Sequence, residues 1–86
     1  VHPINYYSLG LVEESGEVAG LRKRYLRDEG NTDPAKLTKE LGDVLWYVAM
    51  IGKQYNISMD DVAVSNIQKL TDRQERGVIT GTGDER

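Results

Sequence analysis

The sequence predicts an all-α fold, an antiparallel helical bundle of three visible helices whose core is completed to a four-helix arrangement by oligomerisation. Three observations predict it. Apolar residues recur on the 3.6-residue period in three segments, clusters of turn formers separate those segments, and no stretch alternates apolar and polar residues as a half-buried strand does. A chain of 86 residues makes one small domain, near the size at which a lone core needs help, so association with further copies is expected. The helical domain is expected over residues 1–76, followed by a Gly-rich C-terminal tail over 77–86.

Taken in order, Val1 to Ser8 holds Pro3 and the aromatic pair Tyr6-Tyr7 and reads as a connector entering a helix near Leu9. Since Val1 is not an initiator Met, a further helix ahead of it is left open. The first helix runs to about Asp28. The run Asp28-Glu29-Gly30-Asn31-Thr32-Asp33-Pro34 is dense in turn formers, and Asp33-Pro34 supplies an N-cap and first helical residue for a second helix reaching about Tyr55. Asn56 punctuates. Ser58-Met59-Asp60-Asp61 then offers a capping-box-like start to a third helix ending near Arg76. Gly77 to Arg86 is too rich in Gly for helix and is expected as loop or extended chain.

The first helix carries an anomaly. Leu11, Val18, Leu21 and Tyr25 form one stripe, and Glu14 falls inside it. At about 100° per residue, Glu13 and Glu17 are roughly 40° apart and Glu14 is roughly 60° beyond Glu17, so three carboxylates share one side of the helix. A carboxylate moved toward a core costs several kcal/mol unless a cation or donors compensate it. In the second helix, Leu37, Leu41, Val44, Leu45, Val48 and Ile51 make the apolar stripe, with Glu40 and Asp43 side by side along its edge. If the two stripes pack antiparallel, four or five carboxylates converge, which like charges tolerate only around a hard cation such as magnesium.

The third helix bears a narrow apolar strip of Ala63, Ile67 and Leu70. Beside it Asn66, Lys69, Arg73 and Arg76 share roughly an 80° arc, an array suited to polyphosphate. Basic residues late in a helix also favour its dipole, so the row has a structural reading too. His2 stands alone in the connector and is read as inert. Gly81-Thr82-Gly83 lacks the strand and following helix of a phosphate cradle and is read as tail.

Composition excludes several classes. With 11 basic and 14 acidic side chains the net charge is −3, against a protein that grips nucleic acid by broad phosphate neutralisation. There is no Cys, which removes disulfides, thiolate zinc sites and Cys nucleophiles and suits a reducing cytoplasm. Neither a signal peptide nor a membrane span is visible. A di-iron carboxylate bundle would need Glu-x-x-His pairs, and none occurs.

Glu13-Glu14-x-x-Glu17, then Glu40-x-x-Asp43, then Asn66-x-x-Lys69 resembles the all-α nucleotide pyrophosphohydrolases of the MazG-like family. The likeness extends from about Tyr6 to the ending Arg76-Gly77-Val78-Ile79-x-Gly81-x-Gly83-Asp84-x-Arg86. It implies hydrolysis of nucleoside triphosphates, often deoxynucleotides, to monophosphate and pyrophosphate with magnesium, or manganese in its place. Carried over by position, it implies Glu14, Glu17, Glu40 and Asp43 as metal ligands, and Tyr47, Asn66, Lys69 and Arg73 as residues near the substrate. Glu13, with Glu17 second, is the expected base, and Glu13 has further readings in holding a second metal or orienting water. Trp46 or a Tyr is a candidate to stack on the base, and Trp46 equally suits a subunit interface. The departure from the family is the absence of its usual helix before the Tyr-rich segment.

The expected protein is thus a cytoplasmic homodimer or homotetramer acting on a nucleoside triphosphate, without nucleic acid or membrane as partner. A related phosphoribosyl-ATP or dUTP/dCTP hydrolase shares the acid scaffold. A non-catalytic helical interaction module is the competing class.

Overall fold

The computed structural model describes residues 2–28, 30–78 and 80–84. It contains α1 (Pro3–Asp28), α2 (Pro34–Gln54) and α3 (Met59–Arg76), with no strand among the described residues. The all-α class and the three helices are therefore as expected. Of the terminal motif, Ile79 and Arg86 lie outside the described residues, as do Val1, Glu29 of the turn and Glu85. By contact, the chain divides into two compact units, Val1–Asn56 and Ile57–Arg86.

In the first unit, α1 begins earlier than the sequence suggested. The connector expected up to Ser8 is helical from Pro3 onward. Proline at the first helical position loses no intrahelical bond and arrives with helical φ, and the His2 carbonyl accepts from Asn5 N (3.0 Å) and Tyr6 N (3.3 Å). The aromatic pair contributes packing as well: Tyr7 meets Trp46 of α2 edge to face with centroids 6.0 Å apart. A proline read as a connector residue is thus the opening residue of a helix.

The α2 start follows the expected cap: Asp33 Oδ1 accepts from Ala35 N at 2.9 Å, with Pro34 at the first helical position. Its end is marked by Asn56, which adopts φ 59°. On α1, Leu11, Glu14, Val18, Leu21 and Tyr25 are half-buried, while Glu13 and Glu17 are exposed. On α2, Leu37, Val44, Val48 and Ile51 are half-buried as expected, yet Leu41 and Leu45 are exposed. The reason is a rotation of the packing face toward Glu40 and Tyr47, both of which are half-buried; Leu41 and Leu45 fall off its far edge.

Cross-helix neighbours give the direction. Gly10 lies against Tyr47, whereas Glu14, further along α1, meets Asp43 and Glu40, earlier in α2, so positions rise along one helix as they fall along the other. The hairpin is antiparallel. Close approach at one end depends on Gly10: a Cβ built there would sit 2.7 Å from Tyr47 Cδ1 and nearer still to the rest of that ring edge. Among the described residues no apolar side chain is fully buried.

The second unit is described by itself. Ser58 Oγ accepts from Asp61 N at 3.1 Å to cap α3. At the other end Gly77 takes φ 73°, letting Val78 N reach Arg73 O at 2.8 Å and Gly77 N reach Gln74 O at 3.2 Å. Ala63, Ile67 and Leu70, the expected apolar strip, are exposed. Arg73 is the buried residue of α3 instead.

Two glycine substitutions in α1 should change stability in opposite directions. Gly16 has open space around its would-be Cβ, so Gly16→Ala gains about 1 kcal/mol of helix propensity. Gly10→Ala drives a methyl into the Tyr47 ring and should lose about 1–3 kcal/mol by overpacking. Urea unfolding of both variants measures the two signs.

Candidate metal centre

Glu14 is positioned by α1 within its apolar stripe, and Glu40 and Asp43 by successive turns of α2 on the edge facing it. One carboxylate oxygen from each of the three lies within 4.8 Å of the others. Among the described residues no Lys or Arg forms an ion pair with any of them; the ion pairs lie at Arg27–Asp28, Lys69–Asp84, Arg73–Asp84 and Arg76–Asp72. Glu13 and Glu17, one residue before and three after Glu14, stay outside this group.

Their charge is nonetheless felt. Burial first, then Asp43, Glu40, Glu13 and Glu17 in that order, push the Glu14 carboxyl above the usual carboxylate range. Tyr47 borders the same cluster. Its phenol is raised by burial, then by the neighbouring Tyr6 phenol, then by Glu14 and Glu13. Around it stand three edge-to-face ring pairs, Tyr6–Tyr7 at 5.7 Å, Tyr7–Trp46 at 6.0 Å and Trp46–Tyr47 at 5.0 Å.

The donor set fits a hard divalent cation. It offers only carboxylate oxygens, from two helices, with a local excess of negative charge that no ion pair among the described residues neutralises. Nitrogen and sulfur ligands, which would favour zinc or copper, do not belong to the group.

The substrate-side residues read from the third helix belong to the second unit. Lys69 Nζ donates to Asp84 Oδ1 at 3.0 Å. Arg73 Nη2 donates to the Asp84 carbonyl at 2.6 Å and to Asp84 Oδ1 at 3.3 Å, and the residue is only 3% exposed. Arg73 Nε is buried without an acceptor, an unmet donor of a kind that costs about 1–3 kcal/mol. Arg76 turns to Asp72 one turn back, Nε to Oδ2 at 2.8 Å, while Asn66 is exposed. The expected row is therefore split: Lys69 and Arg73 share one partner, and Arg76 has another.

Two residues here had no role in the sequence reading. Gly10 lies one helical turn before Glu14, a spacing that could have signalled close approach on the carboxylate side. Asp84 follows Gly81 and Gly83, and no periodicity extends into the tail to place it; only the fold brings it to α3.

A family model, the MazG nucleotide pyrophosphohydrolase domain, matches residues 4–78, a stretch that takes in nearly all of α1 and the whole of α2 and α3. The Gene 37 protein of Mycobacterium phage L5 is 40% identical over 90 residues, which cover 100% of this chain and 79% of that protein. The Uncharacterized protein YvdC of Bacillus subtilis (strain 168) is 34% identical over 74 residues, covering 76% of this chain and 70% of that one. No solved structure matches the chain. With the match spanning almost all of the three helices and the carboxylates of two of them converging, the chain belongs to the MazG nucleotide pyrophosphohydrolase domain family.

Proposed function

We propose that this protein is a magnesium-dependent nucleoside triphosphate pyrophosphohydrolase, converting a (deoxy)nucleoside triphosphate and water to the monophosphate and pyrophosphate. The observation that carries the proposal is the meeting of Glu14, Glu40 and Asp43, with no Lys or Arg among the described residues ion-paired to them, in a member of this family. These three would hold the ion, and Glu17, on the same helix as Glu14, would complete the ligand set. When bound there, magnesium, or manganese in its place, supplies neutralisation of charge on the phosphate chain and a template for its oxygens.

The chain's own residues do the rest. Glu13, exposed and outside the tight group, takes the proton of the attacking water; Glu17 is the second choice for that role where the metal leaves its carboxylate uncommitted. A new oxygen–phosphorus bond forms at the α-phosphate as the α–β anhydride breaks, and pyrophosphate leaves. Tyr47, whose phenol keeps its proton at neutral pH, can donate to an acceptor on the substrate beside the acid cluster. Asn66 and Lys69, with Arg73 in support, are assigned to the phosphates.

Association with further copies belongs to the same reading. Leu9 and Val12 are each 71% exposed and Leu45 is 58% exposed, on a hairpin with no fully buried apolar side chain among the described residues. Such surface favours burial against another copy. No helix among the described residues is long and apolar enough to cross a membrane.

Three outcomes follow. Pyrophosphate release from a panel of nucleoside triphosphates, phosphoribosyl-ATP included, should require magnesium and fall on the order of 100-fold or more in Glu14→Gln and Asp43→Asn; an inert wild type across the panel would favour a non-catalytic interaction module. Because the Glu14 pKa is raised, folding favours its protonated form, so its contribution is full below the unfolded carboxylate range and lost as pH rises through the folded pKa. Metal-free Glu14→Gln should accordingly melt above wild type near pH 7, with the gap closing toward about pH 4 and disappearing at neutral pH when magnesium is added. Light scattering should give a mass at a multiple of 9.7 kDa, and Leu45→Glu should lower it.

A further inference from the structure

Asp84 is the acceptor for both α3 cations that the substrate reading uses, and its two ends play different parts. Its carbonyl accepts the 2.6 Å bond from Arg73, whose side chain is 4% exposed, so this link holds the tail backbone whatever side chain stands at 84. Its carboxylate is 78% exposed and reaches Lys69 Nζ at 3.0 Å. Gly77, Gly81 and Gly83, at φ 73°, 128° and 85°, let the chain turn back far enough to make both links. Lys69 otherwise ends a flexible four-carbon stem. An ammonium has three donors; Asp84 occupies one and leaves two for a ligand.

We propose that Asp84, anchored through its backbone by buried Arg73, is a positioning residue that orients the Lys69 ammonium for a phosphate group of the substrate. Arg73 then acts through Asp84 and does not touch substrate. This rests on the assignment of Lys69 to the phosphates. It adds a residue with no previous role and gives the Gly-rich tail a function.

A double-mutant cycle tests it on the full chain, reading KM and kcat for a nucleoside triphosphate with magnesium and Kd for a non-hydrolysable imido analogue by calorimetry. Asp84→Ala keeps the carbonyl anchor and should raise KM and Kd about two- to fivefold, the scale of an exposed ion pair, with a smaller change in kcat. Asp84→Asn, which retains an oxygen acceptor, should recover part of the loss. Lys69→Ala should have the larger effect, and Asp84→Ala placed on top of it should add nothing. A merely structural Asp84 would lower the melting temperature and leave KM and Kd unchanged, or would add fully to Lys69→Ala; either result overturns the proposal. So does a lowered KM, which would make Asp84 a competitor of the phosphate. A wild type that neither binds nor hydrolyses any nucleotide sinks the hydrolase reading and this role together, whereas turnover with an additive cycle sinks this role alone.

Discussion

The presence of carboxylates inside an apolar seam constrains the α1–α2 hairpin more than any other feature. Glu14 occupies a position that the periodicity of α1 assigns to a hydrophobic side chain, and Glu40 and Asp43 approach it from α2. Burial disfavours the Glu14 carboxylate and the like charges of Asp43 and Glu40 add to that, and together they raise its pKa. The α2 packing face rotates to bring Glu40 and Tyr47 into the seam, and Leu41 and Leu45 are turned out as a result. The hairpin therefore gives up apolar burial along the length where it gathers charge.

Packing at the open end of the hairpin offsets part of this. Gly10 lets the Tyr47 ring lie against α1, and Tyr6, Tyr7 and Trp46 extend the contact as a chain of edge-to-face pairs. Close packing there fixes the register that sets Glu14 opposite Glu40 and Asp43. Position along a helix is set in steps of about 1.5 Å per residue, so a rigid contact one turn away also fixes where the carboxylates meet. Tyr47 links both regions, packed on Gly10 and sensing the charge of Glu14.

The second unit solves a different problem with the same economy of residues. A helix whose expected apolar strip stays exposed nevertheless buries an arginine, because the tail folds back to give that arginine an acceptor. Positive φ at Gly77 closes the helix, and at Gly81 and Gly83 it steers the return. Asp84 lowers its own pKa through Lys69 and Arg73, so the ion pair forms well below neutral pH and contributes stability that is lost only as pH falls through the lowered pKa.

The number and class of the helices, the caps at Asp33 and Ser58, the break at Asn56 and the presence of an acid in the α1 stripe were all legible in the sequence, because each depends on local periodicity or on a backbone preference a few residues long. The α1 start was misread because Pro3 carries the same letter in a connector and at a helix N-terminus, and only the aromatic packing of Tyr7 on Trp46 decides between them. Which carboxylates meet was legible for Glu14, Glu40 and Asp43; that Glu13 and Glu17 remain outside the tight group depends on helix rotation, a quantity fixed by side-chain packing across the seam. The exposure of Leu41 and Leu45, the approach of Tyr47 to Gly10 and the return of Asp84 to Lys69 and Arg73 were decided by tertiary structure alone. Each joins residues well separated in the chain, and no local pattern encodes the distance between them.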